Sequence, residues 1–568
     1  MPRRVCIGVW MLVASLLFLT PSAWAQQTPA ASNAAVSASA RAAAIGDLLS
    51  RGRALENERR WGEALTHYEE AFRQYPAEQD LEQRLQISRM HYDLSRRYND
   101  RTFRETIGAS SARQALELYG EVLLKIQTHY VDTPDWRRLA EYGAASLEIA
   151  LTDPLFIETN LSNLAPSRID HFRRNLRPQL NLQQVNGRHA AQDAAAAAAR
   201  LGRSQLGLRE AATVQEFTCG ATNSLDAYSA FLTPGQLSEV YSQIDGNFVG
   251  LGVELKADRG ALLIVKVIAG SPADRAGIRA NDRIVAVDGR STAELSTDQA
   301  ANLLQGKEGS TVVVDVTSPG QRTRELQIRR EHVEVPSIDD AHLADAANGI
   351  GYLKLTCFQK TTSADLDAAL YKLHRQGMKA LVIDLRGNPG GLLNTAVDVV
   401  DKFVDRGTIV STRGRTSLEN HTYSARESGT WRIPLVVLID GDSASASEIF
   451  AGAIRDHRRG TIVGSRSYGK GSVQGIFPLN MANAGLRLTT AKFYSPFGRA
   501  YAGVGVEPNL AVPHKTARLN LDGGLETLSP AADDALETAL GELRGKLAGS
   551  QPASPSPSRR SSLPRLSK

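Results

Sequence analysis

The chain has 568 residues, 42% hydrophobic and 22% charged, the composition of an ordinary globular protein with room for two to four domains. Its formal net charge is only +5 and its basic residues are scattered, so charge gives no support for nucleic-acid binding. Three cysteines exclude a disulfide scaffold in a chain of this length.

At the N-terminus, Arg3 and Arg4 precede the apolar run "VCIGVWMLVASLLFL", then Pro21 and Ala23-Trp24-Ala25. That order of charge, apolar stretch and small residues is a secretory signal peptide over 1–25, with cleavage expected after Ala25. The run is shorter than the ~20 residues of a spanning helix, so no stable transmembrane anchor is expected after cleavage. Cys6 leaves with it; Cys219 and Cys357 stay, their pairing open. Residues 26–44 are Ala/Ser-rich and read as a flexible leader.

Residues 45–149 read as helical. Gly52, Ala64, Tyr68, Ala71 and Pro76 match the spacing of one tetratricopeptide unit, which predicts a helical hairpin that packs or meets an adaptor protein. The stretch 150–222, with its alanine run, is expected as a helical linker or insertion, and 223–245 as a connecting helical segment. From 246 to 335, short β-rich runs alternate with Gly, Asp and Pro, interrupted by the helical "STDQAANLLQG". Strand and helix alternate from 336 to 515, the pattern of an α/β core. The remainder, 516–568, is a tail with one late helix and a Pro/Ser/Arg-rich, disordered end.

Within the β-rich segment, Gly250 and Gly252 flank Leu251 before a strand, a backbone suited to gathering N–H groups around a carboxylate. With "SPADRAGIRANDRIVAVDG" behind it, the segment resembles a PDZ domain. The resemblance implies that Leu251, Gly252 and Val253 receive a C-terminal carboxylate and that Leu303 lines a side-chain pocket.

The strand-like "PLVVLID" runs into helical "SASEIFAGAI", a layout that lifts a hydroxyl beside a helix N-terminus. Ser443, Ser445 and Ser447 all sit there, and capping or packing explains them as well as nucleophilicity does. Gly390 and Gly391 in "DLRGNPGG" and Lys470 between two glycines offer backbone donors and a base. A lysine base must drop from about 10.4 toward ambient pH, and ~3 units correspond to roughly 4 kcal/mol. His457 lies about 18 Å of helix rise from Ser445 and cannot reach it. His421 and His514 lack supporting context. No H-E-x-x-H or other ligand spacing is present, so no metal or cofactor is expected.

Taken together, the PDZ-like module, "DLRGNPGG", "GDSASASEI", "SYGKGSVQ" and "GVGVEPNLAV" closely resemble the carboxyl-terminal processing (tail-specific) proteases. The resemblance implies a crotonase/Clp-protease-like α/β core, Ser445 as nucleophile, Lys470 as base and Gln474 orienting the lysine. It also implies an oxyanion hole from the backbone N–H of Ala446 and of Gly390 or Gly391. Ala227 stands where relatives commonly have Pro, and both the leader with its hairpin and the 150–222 stretch are extra. The resulting expectation is a multidomain α/β protein acting as an exported, periplasmic or otherwise extracytoplasmic serine endopeptidase on protein substrates with apolar C-terminal tails. Its rival is a catalytically inactive PDZ/helical binding or scaffold protein.

Overall fold

The computed structural model describes residues 31–106, 108–161, 164–258, 261–293, 303–426, 429–481, 483–512 and 533–549. The signal-peptide segment, most of the expected PDZ helix and the end of the tail lie outside the described residues.

Helices Ala31–Asn57 and Trp61–Gln74 form the N-terminal hairpin. Ala64, Tyr68 and Ala71 are buried between them and helix Gln79–Asn99. A Cβ on Gly52 would lie 2.2 Å from the Tyr68 ring, so the small residue at that position is what lets the two helices close.

The 150–222 stretch is helical as expected, but its place in the fold is not that of a linker. Its helices share one continuous core with helices Ala112–His129 and Trp136–Ala150, so it is a structural half of a helical domain and not a linker. Helix Glu210–Asn223 runs through the middle, with Ala211 to Thr222 buried on every side. It crosses Trp136–Ala150 at glycine: a Cβ on Gly220 would sit 2.3 Å from the Tyr142 carbonyl oxygen. Because the helix is buried all round, no amphipathic period marks it. Among its polar residues, Glu216 accepts from Arg97 at 2.8 Å and from Ser146 at 2.8 Å.

The PDZ region holds strands Val253–Asp258, Ala261–Val267, Arg283–Val287, Thr311–Thr317 and Arg324–Arg329 in one antiparallel sheet. Strands Asn247–Gly250 and Glu331–Glu334 pair as a two-stranded ribbon at its entry and exit.

The α/β core has two sheets. In the first, Ile338–Asp345 runs antiparallel to Ile350–Leu355, and Ala380–Asp384, Leu435–Ile439, Thr461–Gly464 and Leu510–Ala511 continue in parallel. Alternation sorts its side chains. Leu435, Val437 and Ile439 face helices Thr362–Arg375, Leu393–Asp401 and Ala446–Asp456, whereas Val436, Leu438 and Val463 face helix Asp534–Gly549. That helix belongs to the core: Ala539, Leu540 and Leu543 are buried on the sheet, and Arg386 grips both Asp384 and Asp533.

The second sheet is antiparallel and built on Gly485–Tyr494. One of its strands, Ala230–Leu232, comes from the segment expected as purely helical; three residues are too few to register as a strand by pattern. The PDZ region is thus inserted between two parts of the same core.

Candidate active site

Strand Leu435–Ile439 is wholly buried and ends at Asp440, whose Oδ1 accepts the N–H groups of Gly387, Asp442 and Ser443 at 3.0 Å each. This closes a tight turn that delivers the three serines in different environments. The Ser443 hydroxyl is buried and donates to the Leu385 carbonyl at 2.8 Å. That of Ser447 is buried and donates to the Asn388 carbonyl at 3.0 Å. Ser445 lies between them, half-exposed, at φ +57° and ψ −113°. A non-glycine residue there costs about 1–3 kcal/mol and persists only where the surroundings enforce it.

The surroundings do so from two sides. On one, the loop after Ala380–Asp384 is fixed by Asn388, whose side chain donates to the Leu355 carbonyl at 2.8 Å and accepts the Gly390 N–H at 2.8 Å. Gly390 (φ +102°) presses so closely on the serine turn that an added Cβ would lie 2.8 Å from both Ser445 Cβ and Ala446 N. Asn388 therefore occupies the Gly390 N–H, whereas the N–H groups of Ala446 and Gly391 donate to no other described residue.

On the other side stands Glu448, a fully buried carboxylate that the sequence reading passed over. Its Oε2 accepts the N–H of Ser445 at 2.9 Å and that of Lys470 at 2.9 Å. Its Oε1 accepts the Gly469 N–H at 2.6 Å and the Ser467 hydroxyl at 2.7 Å. Burial raises its proton affinity, and these four donors oppose the rise. The spacing Ser445-x-x-Glu448 was the available clue, because serine followed three residues on by glutamate is the capping-box pattern at a helix start.

The segment 465–471 carries Lys470 with its main chain held by Glu448 and, through Tyr468 N–H, by the Ser443 carbonyl at 3.0 Å. Burial pushes the Lys470 ammonium down to about 8; the Arg487 charge adds to this, and Glu448 and Asp226 oppose it. The Lys470 side chain does not hydrogen-bond Ser445. Its Nζ stands 4.6 Å from the centre of the Tyr228 ring. Gln474, on strand Ser472–Pro478, does not meet the lysine either; its amide donates to Ser472 Oγ at 3.0 Å. The structure thus brings Ser445, Ala446, Gly390, Gly391 and the Lys470 backbone together, while the Lys470 and Gln474 side chains point to other partners.

His457 ends the serine helix and bonds the Thr408 carbonyl at 2.7 Å. His421 is exposed beside Tyr423, and His514 lies outside the described residues. Cys219 and Cys357 are both buried and unpaired. No group of potential metal ligands occurs among the described residues. Nor is any helix there long and apolar enough to cross a membrane.

In the PDZ region, Gly252 (φ +84°) has its carbonyl tied to Ile268 N–H at 2.9 Å, and the Leu251 carbonyl accepts Ala273 N–H at 2.9 Å. The N–H groups of Leu251 and Gly252 donate to no other described residue. Val253 begins the adjoining strand, and Leu303 packs half-buried against the same core. The Leu303 and Leu304 carbonyls, at the end of the expected helix, are capped by the buried Arg330 guanidinium at 2.9 and 3.0 Å.

Comparison with known proteins agrees with this architecture. Residues 349–512 match the model of peptidase family S41, and 263–317 match a PDZ domain. The carboxy-terminal-processing protease of Bartonella bacilliformis is 36% identical over 340 residues, covering 58% of this chain and 74% of the relative. That of a Picosynechococcus species is 35% identical over 295 residues, covering 51% and 70%. Among solved structures, the photosystem II D1 C-terminal processing protease is 27% identical, covering 74% of this chain and 99% of its own, with a TM-score of 0.38. The chain belongs to peptidase family S41, as a PDZ-bearing carboxyl-terminal-processing serine protease.

Proposed function

We propose that the protein is an exported endopeptidase that cleaves peptide bonds with a Ser445–Lys470 dyad after its PDZ domain engages the C-terminal tail of a protein substrate. The observation that carries the dyad is Glu448 Oε2, which holds the Ser445 and Lys470 main chains to one oxygen atom. Ser445 is also the serine of the three whose hydroxyl is not committed to a carbonyl of the neighbouring loop.

Lys470, whose neutral fraction grows as pH rises toward about 8, removes the Ser445 proton in that neutral form as Oγ attacks the substrate carbonyl. The developing oxyanion is met by the N–H groups of Ala446 and Gly391, with Gly390 shaping the loop while its own N–H stays on Asn388. The tetrahedral adduct collapses as the Lys470 ammonium gives that proton to the departing amine and the C–N bond breaks. Water then attacks the acyl-enzyme with the neutral Lys470 again as base, and Ser445 Oγ regains a proton as the acid product leaves. Gln474 enters as the orienting group by family resemblance and must leave Ser472 to act.

The open N–H groups of Leu251 and Gly252, with Val253 and Leu303, support capture of a carboxylate and an apolar terminal side chain. The working units are the PDZ domain at 246–335 and the protease core at 336–515, completed by Ala230–Leu232 and Asp534–Gly549. The N-terminal hairpin is proposed as a place for an adaptor, and the signal-peptide pattern at 1–25 supports export.

The test is turnover of an exported protein with an apolar tail by the native enzyme and by Ser445→Ala. Equal turnover refutes the protease reading of this site and favours the binding-protein alternative. Capping the substrate tail as an amide should weaken cleavage; unchanged cleavage counts against tail capture. N-terminal sequencing of the mature protein should begin after Ala25.

A further inference from the structure

We propose that Tyr228 is a positioning residue of this protease, whose ring holds the Lys470 side chain off Ser445 in an arrangement the lysine must leave before it can take the serine proton. The inference rests on the Ser445–Lys470 reading. Lys470 Nζ lies 4.6 Å from the Tyr228 ring centre and makes no hydrogen bond to Ser445. The Lys470 main chain is pinned by Glu448, so only the side chain can travel between the two places.

Tyr228 itself is fixed. Its ring is largely buried, its N–H donates to Asp226 Oδ1 at 2.7 Å, and its carbonyl accepts from Arg487 Nε at 2.7 Å. It sits two residues before a strand of the core's second sheet, so the segment that leads into the PDZ domain also supplies one wall of the site.

The face of an aromatic ring attracts an ammonium and has little hold on a neutral amine. The ring therefore favours the protonated lysine, against the desolvation that favours the neutral one. The charged groups facing Lys470 are Arg487 from strand Gly485–Tyr494, Glu448 from the serine helix, and Asp226 ahead of Tyr228. Arg487 repels the ammonium and the two carboxylates attract it. Tyr228 adds a neutral attraction to this set, at the ring face on which Nζ rests.

The sign of the effect follows. Removing the ring lowers the lysine's proton affinity, so the acidic limb of the kcat/KM profile moves to lower pH. Tyr228→Leu should move it down by about half to one pH unit, while Tyr228→Phe, which keeps the ring face, should leave it in place. A residue that served packing alone would lower the plateau without moving the limb. Should Tyr228→Leu not fold, pentafluorophenylalanine at position 228 keeps the ring's shape while removing its attraction for cations, and should shift the limb as leucine would. A limb unmoved by both replacements, or moved equally by Phe, overturns the proposal. Lys470→Ala separates the two failures: an active Lys470→Ala enzyme sinks the dyad itself. An inactive one with an unmoved limb in the Tyr228 variants sinks this inference alone.

Discussion

Glu448→Gln is the most informative single change, because it keeps the size of the group and alters only what its four donors meet. The Glu448 carboxylate offers two oxygens, each accepting two bonds. Glutamine offers one oxygen and one NH2. With the oxygen toward Ser445 and Lys470, the NH2 faces Ser467, whose hydroxyl can turn round, and Gly469, whose N–H cannot. The reverse orientation strands two N–H groups and is worse. The cheaper choice therefore loses one charge-assisted bond outright, worth about 1.5–3 kcal/mol, and weakens the remainder, while relief of a buried charge returns part of the cost. A net loss of about 2 kcal/mol in unfolding free energy is expected. The N–H left unpaired is that of Gly469, next to Lys470, so most of that energy falls on the placement of the proposed base. At tenfold per 1.36 kcal/mol, kcat should drop roughly 10- to 100-fold with KM for a short peptide little changed. Urea denaturation and steady-state kinetics on one preparation read both quantities. A Gln variant with kcat within about twofold of native and an unchanged denaturation midpoint would show that Glu448 does not organise the site.

The remaining expectations are more direct. Since burial brings the Lys470 pKa down to about 8, kcat/KM should rise with pH through about 8 as the lysine loses its proton; a limb near 6.5 would point to a histidine instead. Ser443→Ala should destabilise by about 1–3 kcal/mol, because the Asp440 N–H loses the Ser443 oxygen it donates to and the Leu385 carbonyl keeps only the Asn388 N–H, yet the folded fraction should still cleave, which activity per folded molecule measures. Gly391→Ala should displace the loop, because φ is +144° and a Cβ would fall 2.1 Å from the Phe358 carbonyl oxygen; a variant with native kcat would remove Gly391 from the oxyanion site. Leu543→Ala, in the helix after the core, should cost about 2–5 kcal/mol in thermal or chemical unfolding if that helix completes the sheet's second face.

How far the sequence carried depended on whether a feature was local. The parallel strands of the core announced themselves as short apolar runs, and the turn residues after each marked where a loop would emerge. The PDZ and peptidase motifs lay within about twenty residues each. What escaped was made of distant parts. Helix Glu210–Asn223 falls in a stretch expected to be helical, but it is buried on all sides and mixes threonine, glutamine and glutamate into its core, so neither period nor hydropathy marked it as the centre of a domain. Strand Ala230–Leu232 exists because Gly485–Tyr494 offers it an edge more than two hundred residues later. Helix Asp534–Gly549 reads as a tail until its apolar stripe meets Val436 and Leu438.

The three serines show where pattern ends and geometry begins. By residue type they are equivalent, and a family resemblance was needed to prefer one. In the folded chain they are not equivalent, because a turn drawn tight by Asp440 turns Ser443 and Ser447 inward onto carbonyls of the Leu385–Asn388 loop. Ser445, between them, is left with the backbone strain and a hydroxyl committed to neither carbonyl. That same loop carries Gly390 and Gly391, so the contacts that consume two of the serines also bring the backbone donors up to the third. Glu448, one turn into the helix, then fixes the distance to the lysine segment. On the proposed Ser445–Lys470 reading, nucleophile, donors and base are positioned by groups that take no part in bond making, which is why a substitution at Ser443, Asn388 or Glu448 should change the rate through geometry, and one at Ser445 through chemistry.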